Sequence, residues 1–282
     1  MLIALSSATI LGALSLGKQG AYLAQVYMLC PAIAAIITRV FFYPPRFSDA
    51  NLRFGKVSDY LRFWLYGLGI TMISASMYTA FGAISWDFSG QLFLERLSKQ
   101  FADAGQDMAG GLPEGFTPEM MLWIYFVGGL TIFNILPGVI SGFGEEFGHR
   151  GLMFPLLYRI SPRVAFIGGG LIWYAWHWPL VLVMPDAPET PLWQDVLNFI
   201  VLAIGSLCTF AYLAYVYVKS QSVWVASVAH ISMNNAAASI SYFSVLENQL
   251  LANLGLSLTM IVLVFVLYKR GEFKVFKSLD AS

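Results

Sequence analysis

The sequence is poor in charge. Asp, Glu, Lys and Arg make up only 11% of its 282 residues, where a soluble domain carries about 25%. Hydrophobic residues reach 58% and the mean hydropathy is +0.68. So little charge excludes both a soluble globular enzyme and a disordered chain. Basic excess is also absent. Sixteen Lys and Arg balance sixteen Asp and Glu, which argues against nucleic-acid binding, since nothing is left over to hold phosphate backbones. Cysteine is nearly missing. Cys30 and Cys208 lie in separate apolar runs and read as small hydrophobes rather than as a disulfide or a metal pair. Met1 to Leu16 is apolar but has no basic segment, which disfavours a cleaved signal peptide. No repeat of fixed period and no soluble domain is present.

What the chain has instead is long apolar runs. About 20 such residues cross a bilayer as a helix. Eight segments qualify: 2–17, 21–43, 61–85, 119–142, 164–184, 193–218, 222–245 and 248–268. The first is the shortest and the seventh the most polar. A shorter interfacial helix is expected over 145–158. The longest connection, 86–118, contains Gly105, Gly110, Gly111 and Pro113 and reads as a loop with one or two amphipathic turns. The expected architecture is all-α, a single integral membrane domain over 1–282 enclosing a polar site. With eight spans, thirteen of the sixteen basic residues fall on one side, among them Arg39, Arg46, Arg53, Arg159, Lys219, Lys269 and Lys277. Only Lys18, Arg96 and Lys99 fall on the other. Basic residues mark the cytoplasmic side. Both termini are therefore expected in the cytoplasm, in the plasma membrane or, in a bacterium, the inner membrane.

Ionisable groups in the bilayer are costly and usually mark function. Glu145, Glu146, Arg150, Asn234 and all three histidines, His149, His177 and His230, lie in or beside apolar segments. Residues four apart share a helix face, so Glu146 can pair with Arg150 while Glu145 lies near His149. If Arg150 holds one carboxylate ionised, the other is free to act as a general base. The same residues could instead be an interfacial helix whose charges reach water. His177 stands in the aromatic run Trp173 to Trp178, where it can be a catalyst or an interhelical hydrogen bonder. His230 and Asn234 share one face and can hold an oxyanion or join helices. Converging, these groups would supply a carboxylate base, two imidazoles and an amide.

The run Glu145-Glu146-Phe147-Gly148-His149-Arg150 resembles the EExxxR motif of the CPBP intramembrane proteases, a family that includes the type II CAAX prenyl endopeptidases and many bacterial Abi-type proteins. Trp173 to His177 resembles that family's FxxxH motif and His230 to Asn234 its HxxxN motif. They stand in the family's order, 32 and 53 residues apart from Glu145 to His177 to His230. The family-like core covers about 119–245. The resemblance implies Glu145 as the base that activates water, His177 as a holder of that water, His230 and Asn234 as oxyanion donors, and Glu146–Arg150 as a structural pair. It also implies a membrane-tethered peptide or protein substrate and no cofactor. Two departures stand out. Trp173 replaces the usual Phe, and His149 stands where Trp is common, placing an extra ionisable group one turn from Glu145 where it is expected to tune pH dependence.

Other readings use the same residues. Glu145, His177 and His230 form a His₂Glu set that suits Zn²⁺, although no HExxH run is present. A proton-coupled transporter would also use buried Glu and His, but matching halves are lacking. In a non-catalytic scaffold or immunity protein the polar groups would serve packing alone. The sites imply different depths, Glu145 and His230 near the cytoplasmic ends of their spans and His177 deeper. A helix broken at Pro179 would reconcile them. Oligomeric state has no signature in the sequence.

Overall fold

The computed structural model describes residues 2–15, 26–103, 115–136, 138–181 and 190–279. Parts of the expected first, second and fifth spans, and the glycines and Pro113 of 105–113, lie outside these residues. The fold is all-α apart from one short ribbon. In chain order the helices are α1 (Leu2–Ser15), α2 (Cys30–Phe41), α3 (Val57–Ala80), α4 (Gln91–Asp103), α5 (Pro118–Leu130), α6 (Val139–Gly148), α7 (Phe154–Ile160), α8 (Gly169–Val181), α9 (Leu192–Ser220), α10 (Val223–Ser241) and α11 (Gln249–Lys269). The ribbon pairs β1 (Ile84–Trp86) with β2 (Ser244–Leu246), antiparallel, Ser85 opposite Val245.

Two of these helices, α9 and α11, are long and apolar enough to cross a membrane by length and composition. They pack on each other through Gly205, where an added Cβ would run into the Ser257 side chain. Their outward faces stay apolar: Val196, Leu197, Phe199 and Ile200 on α9, and Val262, Phe265 and Val266 on α11, are all exposed. α10 is the central element. It touches α3, α5, α6 and α9, and most of its residues from Val223 to Ile240 are buried. Ser222 caps its N-terminus by accepting from the Val225 N–H at 3.3 Å.

Three expectations need correction. The run 119–142 is not one helix. α5 ends at Leu130, a 3-10 turn follows over Ile132–Ile135, and α6 starts afresh at Val139. Side chains satisfy the backbone of this break, as buried polar groups require. Asn134 Nδ2 donates to the carbonyls of Gly129 and Ser232 at 3.1 and 3.3 Å, and Asn235 Nδ2 donates to Asn134 O. Secondly, the connection 86–118 contains a full helix, α4, rather than one or two turns. Asp87 starts it by accepting from the Leu92 N–H at 3.0 Å, and Leu94 packs with Leu122 and Phe243. Thirdly, no break is described at Pro179: α8 runs through it to Val181, where the described residues stop. The irregular geometry lies instead in two π turns, His149–Met153 and Val164–Gly168.

Candidate active site

α6 carries both glutamates into the interior because small residues flank them. A Cβ on Gly144 would lie 2.8 Å from Met28 O, and one on Gly148 would lie 2.6 Å from the backbone C and O of Pro31. On the opposite face, a Cβ on Gly142 would lie 2.9 Å from Ile231 Cδ1. Gly144-x-x-x-Gly148 is thus a close-approach face toward α2, and Gly142 serves α10 in the same way. Between these neighbours Glu145 is 3% exposed and Glu146 is fully buried.

Glu146 is the structural hub. Arg150 Nη1 donates to its Oε1 at 2.8 Å, and His230 Nδ1 donates to the same oxygen at 2.9 Å. The Arg150 guanidinium lies over the rings of Phe210 (4.4 Å) and Trp173 (5.0 Å), which compensates part of its desolvation. Two partners on one oxygen hold the acidic helix to α10. They also fix the orientation of the His230 ring. With Nδ1–H committed to Glu146, Nε2 is the nitrogen turned toward Glu145.

Glu145 makes the contacts of a reactive group. Its Oε2 accepts a long bond from Trp173 Nε1 at 3.4 Å. Its Oε1 lies 3.6 Å from His177 Nε2 and 4.0 Å from His230 Nε2. His177 donates from Nδ1 to Trp173 O at 2.8 Å, so its Nε2 is also the free nitrogen. Two imidazoles therefore present the same atom to one carboxylate oxygen. A water beside Oε1 could give one hydrogen to the carboxylate and the other to an imidazole. His177 is the most open of the three, its side chain 33% exposed, and marks the approach side.

The π turn after α6 has a local cause. Pro155 has no N–H, so the α-helical hydrogen bond from residue 155 to the Gly151 carbonyl cannot form. The chain widens over 149–153, and the Phe154 N–H reaches back to His149 O. Such widened turns recur at functional sites.

The structure therefore brings together Glu145, Glu146, Arg150, Trp173, His177 and His230. The remaining two predicted residues lie differently. His149 is buried, donates from Nδ1 to Glu145 O at 2.9 Å and packs on Trp176. It meets the backbone of Glu145, not its carboxylate. Asn234 takes part in none of these contacts. It lies one turn beyond His230 on α10, exposed, and lines a cavity of about 150 Å³ with Thr71, Ser74, Tyr78 and Met260. The zinc set Glu145, His177 and His230 does converge, with Glu145 Oε1 3.6 and 4.0 Å from the two Nε2 atoms. No group of three His, Cys, Asp or Glu among the described residues has the arrangement of a metal site.

Sequence reasoning passed over four contributors. Asn235 was overshadowed by Asn234, yet it closes the backbone of the 131–138 break. Gly144 and Gly148 form a GxxxG pair that was legible beforehand. Arg39 counted only as a cytoplasmic charge, yet it is 1% exposed and reaches Gly151. No sequence signal distinguishes it from its basic neighbours.

Residues 127–236 match the family model described as type II CAAX prenyl endopeptidase, Rce1-like. The matched segment holds every predicted site residue, from Glu145 to Asn234. No match was found among curated proteins.

Proposed function

We propose that this chain, which over residues 127–236 belongs to the Rce1-like family of type II CAAX prenyl endopeptidases and is thus a membrane-bound peptidase, cleaves a membrane-tethered peptide by glutamate-activated water. The observation that carries this reading is the convergence of His177 Nε2 and His230 Nε2 on Glu145 Oε1 in a buried setting. Glu145 takes a proton from a water held between it and His177. The resulting hydroxide forms the new C–O bond at the scissile carbonyl. The His230 imidazolium, its Nδ1–H held by Glu146, stabilises the oxyanion through its Nε2–H; Asn234, which faces the cavity lined by Thr71 and Met260, is not needed for this step. The C–N bond then breaks, and Glu145 returns its proton to the leaving amine. Trp173 orients the carboxylate, and Glu146 with Arg150 fixes the helix that carries it. His149 acts on pH dependence through the Glu145 backbone. An unchanged pH–rate profile in His149→Trp would remove that role.

The exposed apolar faces of α9 and α11 support these two helices as crossings, and the charge asymmetry of the sequence favours the eight-span arrangement with both termini cytoplasmic. The substrate would enter from the side on which His177 is open.

The test is cleavage of a mixed library of lipidated and unlipidated peptides by protein in nanodiscs, read by mass spectrometry beside Glu145→Gln. Products made by the wild type and missing with Glu145→Gln support the reading and identify the substrate class. Identical product lists overturn it. A chelator arm decides the zinc-dependent variant of the same chemistry.

A further inference from the structure

The Gly151 carbonyl is buried in the turn that follows the two glutamates, and Pro155 withholds its α-helical donor. The donor comes from far away in sequence. Arg39, in the last turn of α2, is 1% exposed. Its Nη2 donates to Gly151 O, and its Nη1 donates to Arg46 O and, at 2.6 Å, to Asp49 Oδ1. Asp49 is held in turn by the Tyr43 hydroxyl at 2.5 Å, and that hydroxyl accepts from Arg159 Nη1 at 3.0 Å. The guanidinium also lies 5.2 Å from the Tyr43 ring and 6.0 Å from that of Phe147. Phe147 is the residue directly after Glu146.

A charge destined only for the cytoplasmic surface would not be buried in this way. Long basic side chains at helix ends normally reach outward to water. Arg39 turns inward, and its planar fork spans a carboxylate and two carbonyls at once, which a lysine cannot do. One of those carbonyls belongs to the π turn that starts where the Glu145 helix ends.

We propose that Arg39 is a positioning residue for Glu145: it supplies the donor that Pro155 denies to the Gly151 carbonyl, and so fixes the turn that holds Glu145, Glu146 and Arg150 in register. The inference rests on the peptidase reading for its catalytic consequence, but not for its structural one. Asp49 aims the guanidinium and belongs to the same clamp.

Arg39→Ala should lower kcat about 10²-fold, the effect of roughly 1 Å of misplacement, with KM little changed because no substrate contact is lost. Pro155→Ala restores a backbone N–H at the i+4 position. In the Arg39→Ala background it should recover about tenfold in kcat, one hydrogen bond's worth, while doing little or harm in the wild type. A role in charge or bulk packing alone would not respond to Pro155→Ala.

The experiment is that two-by-two set, with Arg39→Lys as the milder substitution should Arg39→Ala fail to fold. Two readouts are taken in nanodiscs. One is steady-state cleavage of a peptide that the wild type cuts and Glu145→Gln does not. The other, free of activity, is hydrogen–deuterium exchange over 147–158. Faster exchange in Arg39→Ala or Arg39→Lys, slowed again by Pro155→Ala, supports the clamp. Equal effects of Pro155→Ala with and without Arg39, or unchanged exchange over 147–158, overturn it. A wild type that cuts no peptide counts against the peptidase reading alone, and the exchange arm still decides the clamp.

Discussion

At the residue scale the site divides its labour between two neighbouring carboxylates. Glu146 has two firm donors on one oxygen, Arg150 and His230, whereas Glu145 has one long bond and two imidazole nitrogens at 3.6 and 4.0 Å. Firm pairing suits a structural group, and loose pairing suits one that must exchange a proton. Glu145→Gln should therefore lower kcat about 10²–10⁴-fold, the range of general-base catalysis, and leave the melting temperature near the wild-type value. Activity assays paired with thermal unfolding check this, and a Gln variant with wild-type kcat would remove Glu145 from the chemistry. Glu146→Gln should behave oppositely. Weakening a buried pair that leaves Arg150 unpaired costs about 3–5 kcal/mol. Its first sign should be a lower midpoint of unfolding, and Arg150→Met together with Glu146→Gln should recover part of it. If the double variant is as unstable as the sum of the singles, the two residues do not act as a pair.

At the element scale, α6 is a helix whose position is set by what its glycines lack. Gly148→Ala would press a methyl into the Pro31 backbone, which cannot move aside as a flexible side chain would. Overpacking of this kind costs about 1–3 kcal/mol. The contrasting position is Gly69 in α3, where an added Cβ meets nothing within 4 Å. There Gly→Ala should be neutral or stabilise by up to about 1 kcal/mol. Thermal unfolding of the two variants separates the cases, and equal effects would mean that α6 is free to shift away from α2. The loop between α2 and α3 has its own pH signature. Burial pushes the Asp49 carboxyl up, but hydrogen bonds from Tyr43 and Arg39 outweigh it and hold it below its ordinary 3.8. A depressed folded-state pKa contributes stability that is present above the unfolded value and lost as pH falls through the folded one. The stability advantage of wild type over Asp49→Asn should thus be constant above about pH 5 and shrink below pH 4. Unfolding midpoints across that window check it. An advantage that persists at pH 2 would contradict the network.

At the scale of the whole molecule, the polar site is assembled from three stretches, α6, α8 and α10, enclosed by apolar helices whose outer faces carry Leu, Ile, Val and Phe. Such faces fit lipid rather than water. The orientation proposed here predicts opposite accessibility for two exposed serines, Ser98 on α4 and Ser278 beyond α11. Cys30 is buried and Cys208 half-buried, so single cysteines at 98 and 278 can be labelled over a low background. Residue 278 should react only from the cytoplasmic side and residue 98 only from the other. Labelling of both from one side would require an even number of crossings between them, where the eight-span scheme has five, and would overturn that scheme.

Much of this protein was determined by the sequence alone, for a physical reason. Apolar runs and misplaced charges are local properties, so the all-α class, the helices near 193–218 and 248–268, and the candidates Glu145, Glu146, Arg150, His177 and His230 could be read from one chain. Resemblance supplied their roles, since no spacing rule distinguishes a catalytic glutamate from its structural neighbour. Only the tertiary structure decided the rest. Hydropathy sums cannot register a break whose backbone is satisfied by its own Asn134 and by Asn235 of α10, so 119–142 reads as continuous. A buried arginine and a snorkelling one have the same sequence context, so Arg39 looks like one more cytoplasmic charge until Gly151 is seen beside it. The split between Glu145 and Glu146 belongs to the fold as well, because it depends on which oxygen His230 and Arg150 reach across a gap of 84 and 4 residues.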